Sequence, residues 1–233
     1  MTRVSIQHYC RARLVNGLTF DGGLAKKWFR SCEVHHGEQC KPTIDHPALI
    51  FASRALQGKD SCFRLIDVHH MKIASFGMLD LINQSPRYAI LSYVWGAGVP
   101  SLRLLKENYK DLISIGSLKR RRAEIPETIL NAIELIQSSD LQYLWVDALC
   151  LVQDDESDKE LNIPRMHTIY GGATLAILAA AGPHARAGLP GIGVTPRRCA
   201  QIREEISAGV TMAVVYDVKV FLEGSHYAKR GWT

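Results

Sequence analysis

Apolar and polar positions fall into short, separated blocks, and the most regular block is Tyr88–Gly96, YAILSYVWG. Apolar and aromatic residues run up to Gly96-Ala97-Gly98, as in a buried strand that leaves a sheet for a loop. Upstream, FRLIDV (63–68) and MKIASF (71–76) read as two strands about a turn at His69-His70. Downstream, residues 101–124 form a polar connection with helical character around Leu102–Tyr109. From Pro126 the 3.6-residue period predicts a helix: Ile129, Ala132, Ile133 and Ile136 form its apolar stripe, and Glu127, Asn131 and Glu134 face out. Tyr143–Val146 is a second buried strand. A helix over Glu160–Ala173 follows, with Pro164 held to its first turn. The third strand, TLAILAAAG (174–182), is almost wholly apolar and so is placed at the centre of the sheet. CAQIREEI and VTMAVVYD close the pattern as an antiparallel hairpin around Ser207-Ala208-Gly209.

Strand, helix, strand, helix, strand is the order of a parallel sheet with right-handed crossovers. The expected fold is therefore α/β, with a mostly parallel, doubly wound sheet, helices on both faces and antiparallel hairpin additions. Residues 1–62 precede it as a helical lead-in, in which Leu24, Trp28 and Cys32 share one helical face and Gly37 caps the end.

Composition changes this picture little. The 233 residues are 47% hydrophobic and 22% charged, with a net charge of +5, which is too weak alone to argue for nucleic acid. The basic run Lys119-Arg120-Arg121-Arg122 lacks interleaved aromatic residues for base stacking, so it reads as a solvated loop. Six cysteines lie far apart at positions 10, 32, 40, 62, 150 and 199, with no CxxC pair. Neither a signal peptide nor a bilayer-length apolar run is present, so the expectation is a cytoplasmic protein with reduced thiols and no membrane span. Cys32, His35 and Cys40 are the candidate metal ligands, at a spacing that no standard zinc site uses; a buried helical cysteine is preferred.

Ligands bind open parallel sheets outside the carboxyl ends of the strands. Two strand exits carry polar residues there. The first offers Ser92, Tyr93, Trp95 and Gly96; the second offers Asp147, Cys150, Gln153, Asp154 and Asp155. A hydroxyl and free backbone N–H groups suit a phosphate or ribose, and an indole suits a base. Asp147 and Asp154 are the candidate catalytic carboxylates, as a general base or as a stabiliser of an oxocarbenium ion. Each also has a plain reading, as a corner, a packing residue, a cap or a solvated loop. Cys150 lacks a neighbouring base and reads as a structural thiol.

YAILSYVWG, YLWVDALCLVQDD and the terminal RGWT together resemble the three blocks of the fungal heterokaryon incompatibility (HET) domain. IPETILNAI, MHTIYGGATLAILAAAG and GLPG support the resemblance, and FRLIDV resembles the strand that precedes the first block. It covers roughly residues 63–233, and the helix bearing Trp28, Cys32, His35 and Cys40 resembles a lead-in segment. Val152 stands where the second block usually has Asn, and the Gln-Glu that usually follows RGWT is missing, so a domain truncated at its C-terminal end is expected. The resemblance implies non-self recognition and programmed cell death signalling, through protein partners or self-assembly. The family's distant similarity to TIR domains implies a flavodoxin-like sheet and, as an alternative, cleavage of NAD as a substrate at a nucleotide site.

Overall fold

The computed structural model describes residues 18–36, 62–98, 101–197, 201–214 and 217–229. The strands are β1 (Phe63–Asp67), β2 (Lys72–Phe76), β3 (Tyr88–Ser92), β4 (Tyr143–Trp145), β5 (Leu175–Leu178), β6 (Arg203–Ser207) and β7 (Val210–Ala213). The α-helices are α1 (Gly22–His35), α2 (Met78–Gln84), α3 (Tyr109–Leu112), α4 (Ser117–Arg120), α5 (Glu127–Gln137), α6 (Asp147–Cys150), α7 (Glu156–Asn162), α8 (Met166–Gly171) and α9 (Val218–Glu223).

Five strands form one mixed sheet in the order β2-β1-β4-β3-β5. β3 pairs in parallel with both β4 and β5, whereas β1 is antiparallel to β2 and to β4. The parallel character thus holds for the middle and far side of the sheet, and the upstream hairpin adds two antiparallel strands. β3 and β1 are buried along their whole length, which is why their sequences lack a polar alternation. Between them, β4 carries Trp145, 1% exposed. On one face, Tyr88 meets Phe63 edge-on at 5.4 Å and Trp145 meets Tyr170 at 6.2 Å, contacts worth about 0.5–1.5 kcal/mol each beyond area burial. The Tyr88 hydroxyl donates to the carbonyl of Ile169 at 2.7 Å and so ties α8 to the sheet.

Four expectations are corrected. β5 lies at the edge of the sheet, not at its centre: Ala176 is exposed, Leu178 is 46% exposed, and of its side chains only Ile177 is buried. Leu175, Ala176 and Ile177 of this run line, with α1 and α5, a cavity of about 270 Å³ whose walls include Phe20, Phe29 and Leu135. The segment around Leu102–Tyr109 is extended with a turn, and the helix there begins only at Tyr109. Pro164 splits the expected helix over 160–173 into α7, a 3-10 turn at Ile163–Arg165, and α8. A proline removes one helical N–H and crowds the preceding turn, so a continuous helix through it is disfavoured. Asn131 points inward, at 1% exposure, instead of outward. Its Oδ1 accepts from the N–H of Leu189 and from the Thr195 hydroxyl, while its Nδ2 donates to Glu127.

That inward asparagine docks the loop carrying GLPG onto α5. Thr128 Oγ1 accepts from the N–H of Gly188, and the N–H of Thr128 donates to the carbonyl of Ala185. Gly188 sits at φ +74, and a Cβ there would lie 2.0 Å from Thr195 Oγ1. Glycine is therefore required by backbone conformation and by space. The β6–β7 hairpin forms where the sequence places it, as a separate two-stranded sheet.

Candidate functional site

The register Ile90↔Trp145 makes β3 and β4 parallel neighbours, so their two exits share one edge of the sheet. Asp147 opens α6 just beyond β4. Its Oδ2 accepts from the indole Nε1 of Trp95 at 2.9 Å, and its Oδ1 from the N–H of Ala148 at 2.7 Å. Tyr93, 3% exposed, is hydrogen-bonded to the same carboxylate. Burial first, and then the negative charge of Asp147, push the Tyr93 phenol well above its usual value, so it remains a neutral donor. Arg103 lies over the Trp95 ring, 5.2 Å from its centroid. The result is a four-residue lock: a buried hydroxyl and an indole on one carboxylate, with a guanidinium stacked on the outer aromatic.

Further backbone bonds hold the lock in place. The N–H of Leu104 donates to the carbonyl of Ala148, and that of Gln153 donates to the carbonyl of Leu104. The carbonyl of Trp95 accepts from the N–H of Ala185, which brings the GLPG loop to the same edge. Gly96 adopts φ +82 and turns the chain out of β3.

The other candidates take local structural positions. Ser92 is buried at the end of β3, and its carbonyl accepts from the N–H of Ala179. Cys150 turns into the core. It accepts from the N–H of Val146 at 3.3 Å, and burial pushes its thiol up to about 12, far from thiolate chemistry at neutral pH. Gln153 donates to the carbonyls of Asp147 and Leu151, bracing the loop from within. Asp154 accepts from the N–H of Lys106, and Asp155 caps α7 through the N–H of Ser157. Asp154 thus lies in an exposed loop. Cys32 contacts His36 Nδ1 at 3.1 Å, and His35 Nδ1 contacts the Ser31 carbonyl. Trp28 is 58% exposed, so of the predicted apolar face only Leu24 is buried. Cys40, Gly37 and the RGWT block lie outside the described residues. No group of three or more His, Cys, Asp or Glu side chains that suits a metal occurs among the described residues.

Sequence reading missed a second constellation at the same edge. β1 runs antiparallel to β4, so its Arg64 arrives beside the exit of β4. Arg64 forks onto Asp158 of α7 at 3.0 Å, and its Nη1 also donates to the carbonyl of Cys150. Asp158 Oδ2 additionally accepts from the N–H of Val152. Burial alone would lower the Arg64 pKa, but the Asp158 carboxylate raises it and keeps the guanidinium charged. An arginine among Phe63, Leu65 and Ile66 in FRLIDV was the available signal, because a buried arginine is almost always paired. Arg103 had no comparable signal in its polar surroundings.

The profile of the family described as Heterokaryon incompatibility protein (HET) matches residues 88–233. That is most of the chain, and it begins at the first residue of β3. The chain belongs to the HET family. It is also 30% identical over 141 residues to a Neurospora crassa protein named "Heterokaryon incompatibility protein 6, OR allele", a match covering 53% of this chain and 19% of that protein. The chain therefore spans about a fifth of the length of the curated relative it matches. No solved structure matches it. Within the HET match lie Tyr93, Trp95, Arg103 and Asp147, whereas Arg64 lies upstream of it, in a strand that nevertheless pairs with β4. Among the described residues no helix is long and apolar enough to cross a membrane.

Proposed function

We propose that this HET-family chain is a cytoplasmic signalling module of heterokaryon incompatibility, which triggers growth arrest and cell death after non-self recognition and acts by assembly with protein partners or with itself. The family match over residues 88–233 carries this reading. The Neurospora relative's name supports it. The internal engagement of Asp147 supports assembly over chemistry, since both its oxygens already accept hydrogen bonds from the chain's own groups. A flavodoxin- or TIR-like kinship is supported by β3 lying between β4 and β5, so that the two crossovers run in opposite directions along the sheet. The unit we assign to this function is residues 63–233, because β1 pairs with both β2 and β4.

A second reading, cleavage of NAD, rests on one observation: a carboxylate, an indole and a guanidinium meet at the carboxyl edge of parallel strands. Asp147→Asn separates the two. The amide oxygen still accepts from Trp95, while the charge that would stabilise an oxocarbenium ion is gone. Induced expression of wild type and of folded Asp147→Asn in a filamentous fungus should arrest growth equally under the assembly reading. Arrest by wild type alone, accompanied by nicotinamide release from NAD in the purified wild-type protein, would replace assembly with catalysis.

A further inference from the structure

The cavity of about 270 Å³ between α1, α5 and β5 has a hydrocarbon interior. Phe20, Phe29, Leu135, Leu141, Leu175 and Ile177 are among its walls. Its two hydroxyls are committed to the backbone: Ser138 Oγ donates to the carbonyl of Leu135, and Ser139 Oγ to that of Ile136. Lys26 is the one charged side chain among the lining residues. The cavity reaches solvent beside it, since the Lys26 side chain is 33% exposed and the lining residues Ser138 and Ala176 are exposed as well.

Positive charge is in excess at that opening. Lys26 and Arg30 stand four residues apart, on one side of α1, and share a single carboxylate, Asp140. The neighbouring acids are engaged elsewhere. Asp21 caps α1 through the N–H of Leu24. Glu33 pairs with Arg87, whose guanidinium lies over the Phe29 ring. Glu134, next to Leu135 on α5, turns to Gly193. One further carboxylate at the opening would bring the cluster to two charges of each sign.

An apolar interior behind a cationic opening is the complement of an amphiphile with one anionic end. A polar group placed deep in such a cavity would lose its water without gaining a partner. A methylene fills about the volume of a water in the liquid, roughly 30 Å³, so the cavity takes about nine chain carbons.

We propose that this cavity binds the hydrocarbon chain of a medium-chain fatty acid, of about ten carbons, with its carboxylate held at Lys26 and Arg30. Burial of the chain supplies the affinity, and the two cations orient the ligand and select its charge. The inference is independent of the cell-death reading, because it concerns binding alone.

The full chain is titrated calorimetrically with decanoate, hexanoate and decyltrimethylammonium, each below the concentration at which it forms micelles. Decanoate should bind saturably at one site, and hexanoate up to about fourfold more weakly for each methylene removed. Decyltrimethylammonium, with the same chain and the opposite charge, should bind more weakly than decanoate. Methyl NMR spectra should place the decanoate-induced shifts on Leu135, Leu141, Leu175 and Ile177. Lys26→Met combined with Arg30→Met, checked for an unchanged melting curve, leaves Asp140 alone at the opening and should weaken decanoate at least about fivefold. No saturable binding of decanoate at millimolar concentration overturns the proposal. So do equal affinities for decanoate and decyltrimethylammonium, methyl shifts confined to other parts of the core, or unchanged decanoate affinity in the folded double variant.

Discussion

A carboxylate that accepts from an indole, a buried phenol and a backbone N–H is an organising centre, and Asp147 is that residue here. Removing one buried partner should cost the net hydrogen bond and leave the remaining group underpaired. Tyr93→Phe is expected to lower stability by about 1–2 kcal/mol in urea unfolding. An unchanged midpoint would mean that the lock contributes nothing. Cys150 gives a residue-scale test of burial. Its folded pKa lies above the unfolded one, so the stability it contributes is complete below about pH 9 and is lost as pH rises towards 12. Cys150→Ala should therefore flatten part of the fall in unfolding free energy over that alkaline window, and alkylation of Cys150 at pH 8 should require global unfolding. Asp67 works in the opposite sense. Burial alone would raise its pKa, but the His70 N–H, the His70 ring and Gln142 together lower it, so its contribution is present above about pH 4 and fades on acidification.

Two contacts between elements decide whether the site edge is built at all. Arg64 of β1 and Asp158 of α7 are 8% and 7% exposed, and they join the upstream hairpin to the second block. Breaking a buried pair from one side strands a charge. Arg64→Met should cost about 3–5 kcal/mol, and Arg64→Met with Asp158→Leu should recover much of that loss, read by paired denaturant titrations. A double variant no better than the single one would show that the arginine matters for reasons other than pairing. The loop carrying GLPG hangs on Asn131, whose oxygen serves Leu189 and Thr195 together. Asn131→Leu keeps the volume but orphans those donors, and should cost about 2–3 kcal/mol with faster proteolysis within residues 183–197. Helix periodicity placed Asn131 outside because a polar residue on an amphipathic helix usually meets water. In this fold it meets a loop from some 60 residues away, which no local period can encode. Pro164 was visible, yet whether it opens a helix or splits one depends on what α7 and α8 pack against.

At the scale of the whole molecule, the strands were legible because each is a short apolar run bounded by turn residues. YAILS and YLW each showed a strand end with polar residues, and the structure pairs them in parallel so that their exits share one edge. The order of the sheet was less legible. An apolar run such as β5 reads as central, and only the assembled structure shows it at the sheet edge, sharing a cavity with α1 and α5. Antiparallel pairing of β1 with β4 was equally hidden, since strand direction in a sheet leaves no mark on composition. The same holds for the site. Tyr93, Trp95 and Asp147 stood out at strand ends, whereas Arg64, Asp158 and Arg103 reach it only through tertiary placement. The family membership and this edge together form the account that the chain signals cell death by assembly. The most direct measurement is growth of a filamentous fungus after induced expression of residues 1–233, with the soluble protein quantified. The account predicts arrest with wild type and with Asp147→Asn, and normal growth with Arg64→Met, whose site edge is undone. Normal growth with abundant, folded wild-type protein would contradict it.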